Sequence, residues 1–105
     1  MAYEYAVSFD IKADSTYSER YTSLMDQLRK TPGSPGLWSE TTSVVLLRSD
    51  ETIEELEHRL YYSSQLSSAK DKLLVIDTHS GVAVARGPIA YPATLAAHFK
   101  SCAIK

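Results

Sequence analysis

The chain has 105 residues, of which 44% are hydrophobic and 23% are charged, and its net charge at pH 7 is −2. These values are typical of one globular domain with a modest core, which association between subunits would enlarge. The charge argues against a protein whose whole surface binds nucleic acid, although it leaves room for a local basic face. The single cysteine, Cys102, excludes an internal disulfide and a cysteine-based zinc site.

Neither a membrane span nor a targeting segment is predicted. No apolar run reaches the roughly 18–20 residues that a membrane-spanning helix requires, and the first residues lack the features of a signal peptide. We therefore expect a cytoplasmic protein without a membrane partner. The sequence has no internal repeat and no linker long enough to divide it, so we expect one domain over residues 1–105.

The first predicted element is a strand over Tyr5–Ile11. Val7 and Phe9 alternate with small residues, as in a strand with one face more buried than the other. Asp10 stands where this strand ends, before a polar segment. A carboxylate there is fixed at its base and solvated at its head, which suits a metal ligand or a general base. It is also an ordinary place for an aspartate that caps the next helix or binds nearby amides.

A helix is predicted next, and residues 16–19 have the form of a capping box. Tyr17, Tyr21, Leu24 and Leu28 follow at helical spacing and form a one-sided apolar stripe. The Gly- and Pro-rich residues 31–36 end this helix. Residues 37–49 then predict two short antiparallel strands, the first with Trp38 and the second aliphatic, with a change of direction near residues 42–43.

The second half of the sequence repeats the alternation of helix and strand. A second helix is predicted after a cap at Ser49 or Asp50, with an apolar stripe from Ile53, Leu56 and Leu60 and with its glutamates facing solvent. Residues 73–77 form an aliphatic strand that ends in Asp77, and a turn leads to an antiparallel partner at residues 82–86. A short helix with Pro92 in its first turn follows.

This order of elements predicts an α+β fold of the ferredoxin-like βαββαβ type, with an extra strand and a short helix at the C-terminal end. Both long helices would cover one face of an antiparallel sheet. The two most aliphatic strands, around Val7 and Val75, are expected near its middle. The open face of such a sheet is a usual site of dimerisation or nucleic-acid binding.

Over about residues 3–86 the chain resembles the small ferredoxin-like CRISPR-associated adaptation protein, an endoribonuclease-type family, and its VapD-like ribonuclease relatives. That family opens with a hydrophobic strand ending in an aromatic or small residue followed by an aspartate, as Phe9-Asp10-Ile11 does. A helix with Tyr and Arg follows, here Tyr17–Leu28, and then a glycine-preceded aromatic strand, here Gly36–Val44. A helix of Leu-x-x-Leu type comes next, and an aliphatic strand leads to an aspartate, here Leu73–Asp77.

The resemblance implies a homodimer in which Asp10 of each subunit approaches the two-fold axis and holds one Mg²⁺ or Mn²⁺. Such a metal activates water for phosphodiester cleavage in RNA or DNA. Lys12, Arg20 and Arg48 would then bind the nucleic acid. The family usually has basic residues soon after its aspartate, whereas Lys12 is followed here by Asp14. The alternative is a non-enzymatic homodimeric interaction module of the same fold.

Other sites have weaker support in the sequence. Asp77 also ends a strand, so a paired-carboxylate site with Asp10 is a further hypothesis, weighed against two carboxylates that face water. His58, His79 and His98 match no metal-ligand spacing. No nucleophile elbow or phosphate-binding glycine loop occurs, which disfavours covalent catalysis and nucleotide binding. A small-molecule enzyme with its site in a cleft beside the sheet is a third hypothesis, and no motif supports it.

Overall fold

The computed structural model describes residues 2–30, 36–41 and 43–105. Its helices and strands in chain order are β1 (Tyr3–Asp10), α1 (Tyr17–Arg29), β2 (Val44–Ser49), α2 (Ile53–Tyr62), β3 (Lys72–Asp77), β4 (Val82–Arg86), α3 (Pro92–Ala97) and β5 (Ser101–Ile104). Within these residues the strands form one sheet in the order β2-β1-β3-β4-β5, and this confirms the predicted α+β class. The first four strands pair antiparallel, and β5 runs parallel to β4.

The topology of β1, β2 and β3 is ferredoxin-like, with one strand reduced to a single bridge. Trp38 and Leu46 exchange two backbone hydrogen bonds of 2.9 Å, so residue 38 lies beside β2 where the second strand of the fold belongs. The predicted strand before β2 is therefore wrong beyond this residue. Residues 39–41 are exposed and bury no apolar surface that would hold a longer strand. Of the predicted change of direction, Thr42 lies outside the described residues.

The core lies between the sheet and the two long helices. Tyr5, Val7 and Phe9 point to this side, and Val7 pairs with Val75, each fully buried. The two aliphatic strands therefore lie side by side at the middle of the sheet, as their sequences predict. Each such side chain contributes roughly 1.5–3 kcal/mol when it is withdrawn from water. Helices α1 and α2 complete the core with Leu24, Met25, Leu28, Leu56 and Leu60.

The ends of the two long helices differ from the sequence-based expectation. The Thr16 side chain makes no capping hydrogen bond to α1, so the capping box predicted there is wrong. The box occurs instead at α2, where the Glu55 amide donates to Thr52 Oγ1 at 3.2 Å and the Thr52 amide donates to Glu55 Oε1 at 2.8 Å. Ser49 is not the cap, because it ends β2 and its hydroxyl donates to Glu51 at 2.8 Å.

The C-terminal third extends the sheet and covers part of its second face. The predicted turn between β3 and β4 is confirmed, and Gly81 in it has a φ of 76°. The predicted short helix is confirmed as α3, with Pro92 in its first turn. Strand β5 was not predicted, because four residues are too few for a periodic signal. Among the described residues, no helix combines the length and the apolar character needed to cross a membrane.

Candidate functional site

Asp10 is the last residue of β1 and lies on the face of the sheet that is turned away from α1 and α2. The strand alternation puts it on one face with Ser8, and the register puts Lys72 and Leu74 opposite them on β3. The Asp10 side chain is exposed. Within the described part of the chain it takes part in no hydrogen bond or ion pair, and it caps no helix. The interpretation of Asp10 as a local cap or amide acceptor is therefore wrong.

The other two carboxylates on the strands have partners. Glu4 pairs with Arg48, and Asp77 accepts from the amides of His79 and Ser80 at 2.9 and 3.0 Å. Burial alone would raise the pKa of Asp77, but these amide donors outweigh it and lower the pKa. Among the strand carboxylates of the described residues, Asp10 alone is therefore free to accept a ligand.

A polar network around Arg20 and Asp71 fixes two segments of the chain, the one after Asp10 and the one before Lys72. Asp10 and Lys72 themselves lie opposite each other on β1 and β3. Arg20 Nε donates to Asp71 Oδ2 at 3.0 Å, and Arg20 Nη2 donates to the Lys12 carbonyl oxygen at 2.6 Å. Asp71 also accepts from the Lys12 amide at 3.0 Å and from the Ser67 amide at 2.9 Å. The network therefore ties the segment that follows β1 to the loop that precedes β3.

The burial of Arg20 overturns its assignment to a nucleic-acid surface. The residue is 4% exposed, and its guanidinium also donates to Asp14 at 2.8 Å and to the Thr16 hydroxyl. A guanidinium group has five N–H donors, and four of them are taken by Asp71, Asp14, Thr16 and the Lys12 carbonyl, so a buried Arg20 is not placed to bind a phosphate from solvent. Arg20 and Lys70 hold the pKa of Asp14 well below its ordinary value. Sequence alone could not show that Asp71, 51 positions away, withdraws Arg20 from solvent.

The two other predicted basic residues lie at different ends of the sheet face. Lys12 is exposed and follows Asp10 by two residues. Arg48 is exposed but lies opposite Glu4, at the other end of β1. Six residues of strand separate Glu4 from Asp10, which corresponds to roughly 20 Å. The structure therefore brings Lys12 and Lys72 to the neighbourhood of Asp10, and it keeps Arg48 away.

The proposed pairing of Asp10 with Asp77 within one chain is wrong. Because β1 and β3 are antiparallel, Asp77 lies opposite Tyr5 whereas Asp10 lies opposite Lys72. Five residues of strand put the two carboxylates roughly 17 Å apart, and the alternation directs them to opposite faces. Among the described residues, no group of three or more His, Cys, Asp or Glu side chains is placed to hold a metal ion.

A pocket of about 510 Å³ adjoins Asp10 on this second face of the sheet. It lies between the ends of β1 and β3 and the segment that carries α3. Its lining combines apolar side chains with polar groups at Ser8, Asp10, Lys72, Thr94 and His98. Sequence reasoning missed Lys72 and the α3 residues as parts of one site. A predicted antiparallel pairing of β1 with β3 could have placed Lys72 opposite Asp10. Nothing in the sequence placed α3 over this face.

The site thus consists of an unpartnered carboxylate, two nearby lysines and an apolar pocket with a few polar groups. A carboxylate in this setting can accept hydrogen bonds, bind a cation or act as a base. The structure does not join it to a second acidic residue of the same chain. Comparison of the chain with protein-family models, with curated proteins and with solved structures found no match.

Proposed function

We propose that this is a homodimeric, nucleic-acid-associated protein in which Asp10 of each subunit binds a divalent cation, Mg²⁺ or Mn²⁺, for phosphodiester cleavage of RNA or DNA. One observation carries the proposal. Asp10 ends a central strand, is exposed, and has no partner among the described residues, whereas Glu4 and Asp77 on the same strands have theirs. An exposed carboxylate that makes no hydrogen bond or ion pair among the described residues is available to a ligand.

The residues fit a shared metal better than a metal held by one chain. Mg²⁺ is commonly bound through one or two carboxylates together with substrate phosphates and water. One Asp10 from each of two chains supplies such a pair. When bound, the cation would lower the pKa of its water and neutralise charge on the phosphate. The chain itself supplies the carboxylate, and Lys12 and Lys72 supply positive charge for a phosphate beside it.

Exposed apolar side chains on the same face favour association between two copies. Leu46 is 44% exposed and Trp38 is 40% exposed, and Ile104 lies on this face of β5. A partner that covers them would withdraw apolar area from water. A homodimer through this face would also bring the two Asp10 side chains towards one axis.

A different observation favours the second candidate, a non-enzymatic homodimeric interaction module. Arg20 is buried in its network and Arg48 pairs with Glu4, so two of the three predicted nucleic-acid contacts are committed to other partners. Nucleic-acid affinity depends strongly on the number of cations that reach phosphates. A face with few cations and several exposed apolar side chains also suits binding of protein to protein.

The two candidates separate in one assay. The purified protein is incubated with RNA, single-stranded DNA and double-stranded DNA in Mg²⁺ or Mn²⁺, beside Asp10→Ala and the control Asp50→Ala. Asp50 is also an exposed aspartate, in the loop between β2 and α2. We expect cleavage and Mn²⁺ binding to be lost in Asp10→Ala and kept in Asp50→Ala. Cleavage that survives Asp10→Ala would remove Asp10 from the mechanism, and absence of both cleavage and binding would favour the interaction module.

A further inference from the structure

Helix α3 stands over the second face of the sheet without a buried face of its own. None of its six residues is buried, although four of them are alanine or leucine. A helix of this length gains little stability from its backbone and depends on what packs against it. The pocket of about 510 Å³ between α3 and the strand ends is the space that such packing would fill.

The lining of this pocket combines an apolar interior with polar groups. Leu74, Ile89 and Leu95 supply apolar surface, and Tyr91 stands beside them at the start of α3. Tyr91 is 77% exposed, so most of its ring is available to a ligand. Lys72 can donate hydrogen bonds, and Asp10, Lys72 and His98 all border the same space.

We propose that this pocket holds one unpaired nucleobase of a single-stranded nucleic acid, with Tyr91 stacked on the base. The inference rests on the proposed function, because the strand would enter with a phosphate beside Lys12 and Lys72, the lysines near Asp10. A base has apolar faces and an edge of donors and acceptors, which is the combination that the lining offers. An acyl chain would instead strip water from the charged groups of Asp10 and Lys72 without replacing their hydrogen bonds.

The size and geometry of the pocket agree with this ligand. Pockets that hold small organic groups usually measure about 300–1,000 Å³, and this one lies within that range. A base in a duplex is stacked on both faces and paired along one edge, so only an unpaired base can enter a pocket of this kind. The pocket therefore predicts a preference for single strands over duplexes.

The test measures binding by fluorescence anisotropy in EDTA, so that neither metal nor cleavage enters the result. The probes are a labelled six-nucleotide single strand and an abasic strand of the same length and charge. We expect the abasic strand to bind at least fivefold more weakly. Tyr91→Ala should weaken binding of the six-nucleotide strand by roughly 5- to 150-fold, and Tyr91→Phe should stay within about twofold, because stacking needs the ring and not the hydroxyl.

A second pair of variants tests the pocket directly, because one variant fills it and the other leaves it open. Thr94→Trp places a large side chain in the lining and should weaken binding at least tenfold. Ala93→Trp lies on the same helix outside the lining and should bind as the parent protein does. Because neither position is buried, both variants should keep the parent melting temperature, which serves as the folding control.

Three results would overturn the inference. These are equal binding of the intact and abasic strands, parent-like binding by Thr94→Trp, and a change in oligomeric state with Thr94→Trp, which would show that a second copy covers the pocket. Failure of the proposed function has a different signature. It would appear as Mn²⁺ binding or cleavage that is unchanged in Asp10→Ala, and neither measurement depends on Thr94 or Tyr91.

Discussion

The ion pair between Glu57 and Arg86 gives the sharpest test of how the structure is held together. Glu57 on α2 is 1% exposed, and Arg86 ends β4. Arg86 Nε and Nη2 donate to the two carboxylate oxygens at 2.7 and 2.9 Å, and the guanidinium carbon lies 4.2 Å from the centre of the Tyr61 ring. The hydrogen bonds that Arg86 donates to the Glu57 carboxylate raise the pKa of Arg86 above its ordinary value. The expectation that Glu57 faces solvent is therefore wrong.

The perturbation is Arg86→Met, which keeps the length of the side chain and removes its charge. Glu57 would then be a buried carboxylate with no cation, which costs about 3–5 kcal/mol. A domain of this size has a total free energy of unfolding of about 5–15 kcal/mol. At about 4 °C or more per kcal/mol, the melting temperature should fall by at least about 12 °C.

The assay is urea denaturation followed by circular dichroism, together with a thermal scan. Arg29→Met is the control, because Arg29 and its partner Asp26 are both exposed and their pair should contribute less than about 1 kcal/mol. Replacing both buried charges, in Glu57→Leu with Arg86→Met, should recover most of the lost stability. The reasoning is refuted if the free energy of unfolding of Arg86→Met lies within about 1 kcal/mol of that of the parent. It is also refuted if the double variant is no more stable than Arg86→Met alone.

Three smaller predictions concern the backbone, a helix end and the response to acid. Gly87→Ala should cost more than about 2 kcal/mol in urea denaturation, because its φ is 112° and a Cβ would lie 2.0 Å from the carbonyl oxygen that precedes β3. Gly81→Ala should cost only about 1–2 kcal/mol, since its Cβ would meet nothing closer than 3.5 Å, and equal losses would contradict this. Thr52→Ala removes the capping box of α2 and should cost about 1 kcal/mol, with no change expected in the slope of the urea curve. The pKa of Asp14 lies well below its ordinary value of 3.8 because Arg20 donates to it, so its contribution to stability is present above pH 4 and declines as the pH falls further. Asp14→Asn should therefore lose less stability than the parent between pH 5 and pH 2, and parallel losses would count against the ion pair.

The elements that the sequence predicted well are those with a local signal. Alternation around Val7 and the apolar stripe of α1 depend only on neighbours within one element, and both are confirmed. The exception within α1 is Tyr17, which the stripe placed in the core and which is exposed, stacked on Tyr21 with the ring centres 6.0 Å apart. Tyr17 is the first residue of α1, and the buried residues of this helix begin at Arg20.

Buried charges could not be predicted, because a charged residue in a sequence carries no sign of its distant partner. Arg20 and Glu57 lie four residues from Leu24 and Ile53, beside the apolar stripes, but their charge led us to expect both at the surface. Their partners, Asp71 and Arg86, lie 51 and 29 residues further along the chain. Only the folded chain shows that each pair is close enough to offset the loss of hydration.

Only part of the candidate site could be predicted, because the sequence carries no sign of which distant residues come together in the folded chain. Asp10 could be placed because it ends a periodic strand. The pocket beside it could not, because its second wall comes from the segment around α3. That segment is carried back over the sheet by the parallel pairing of β5 with β4, in which Ala83 lies opposite Cys102. Four residues of β5 gave no pattern from which this return could be inferred.

The network around Arg20 links the two strand ends of the site, the end of β1 at Asp10 and the start of β3 at Lys72. It fixes Lys12, two residues after Asp10, and Asp71, one residue before Lys72. The strand ends that present Asp10 and Lys72 are therefore held by hydrogen bonds from one guanidinium, that of Arg20. The residue that the sequence assigned to nucleic-acid binding positions the site from inside the fold. Its replacement should accordingly disturb Asp10 through the backbone, without removing a contact to any ligand.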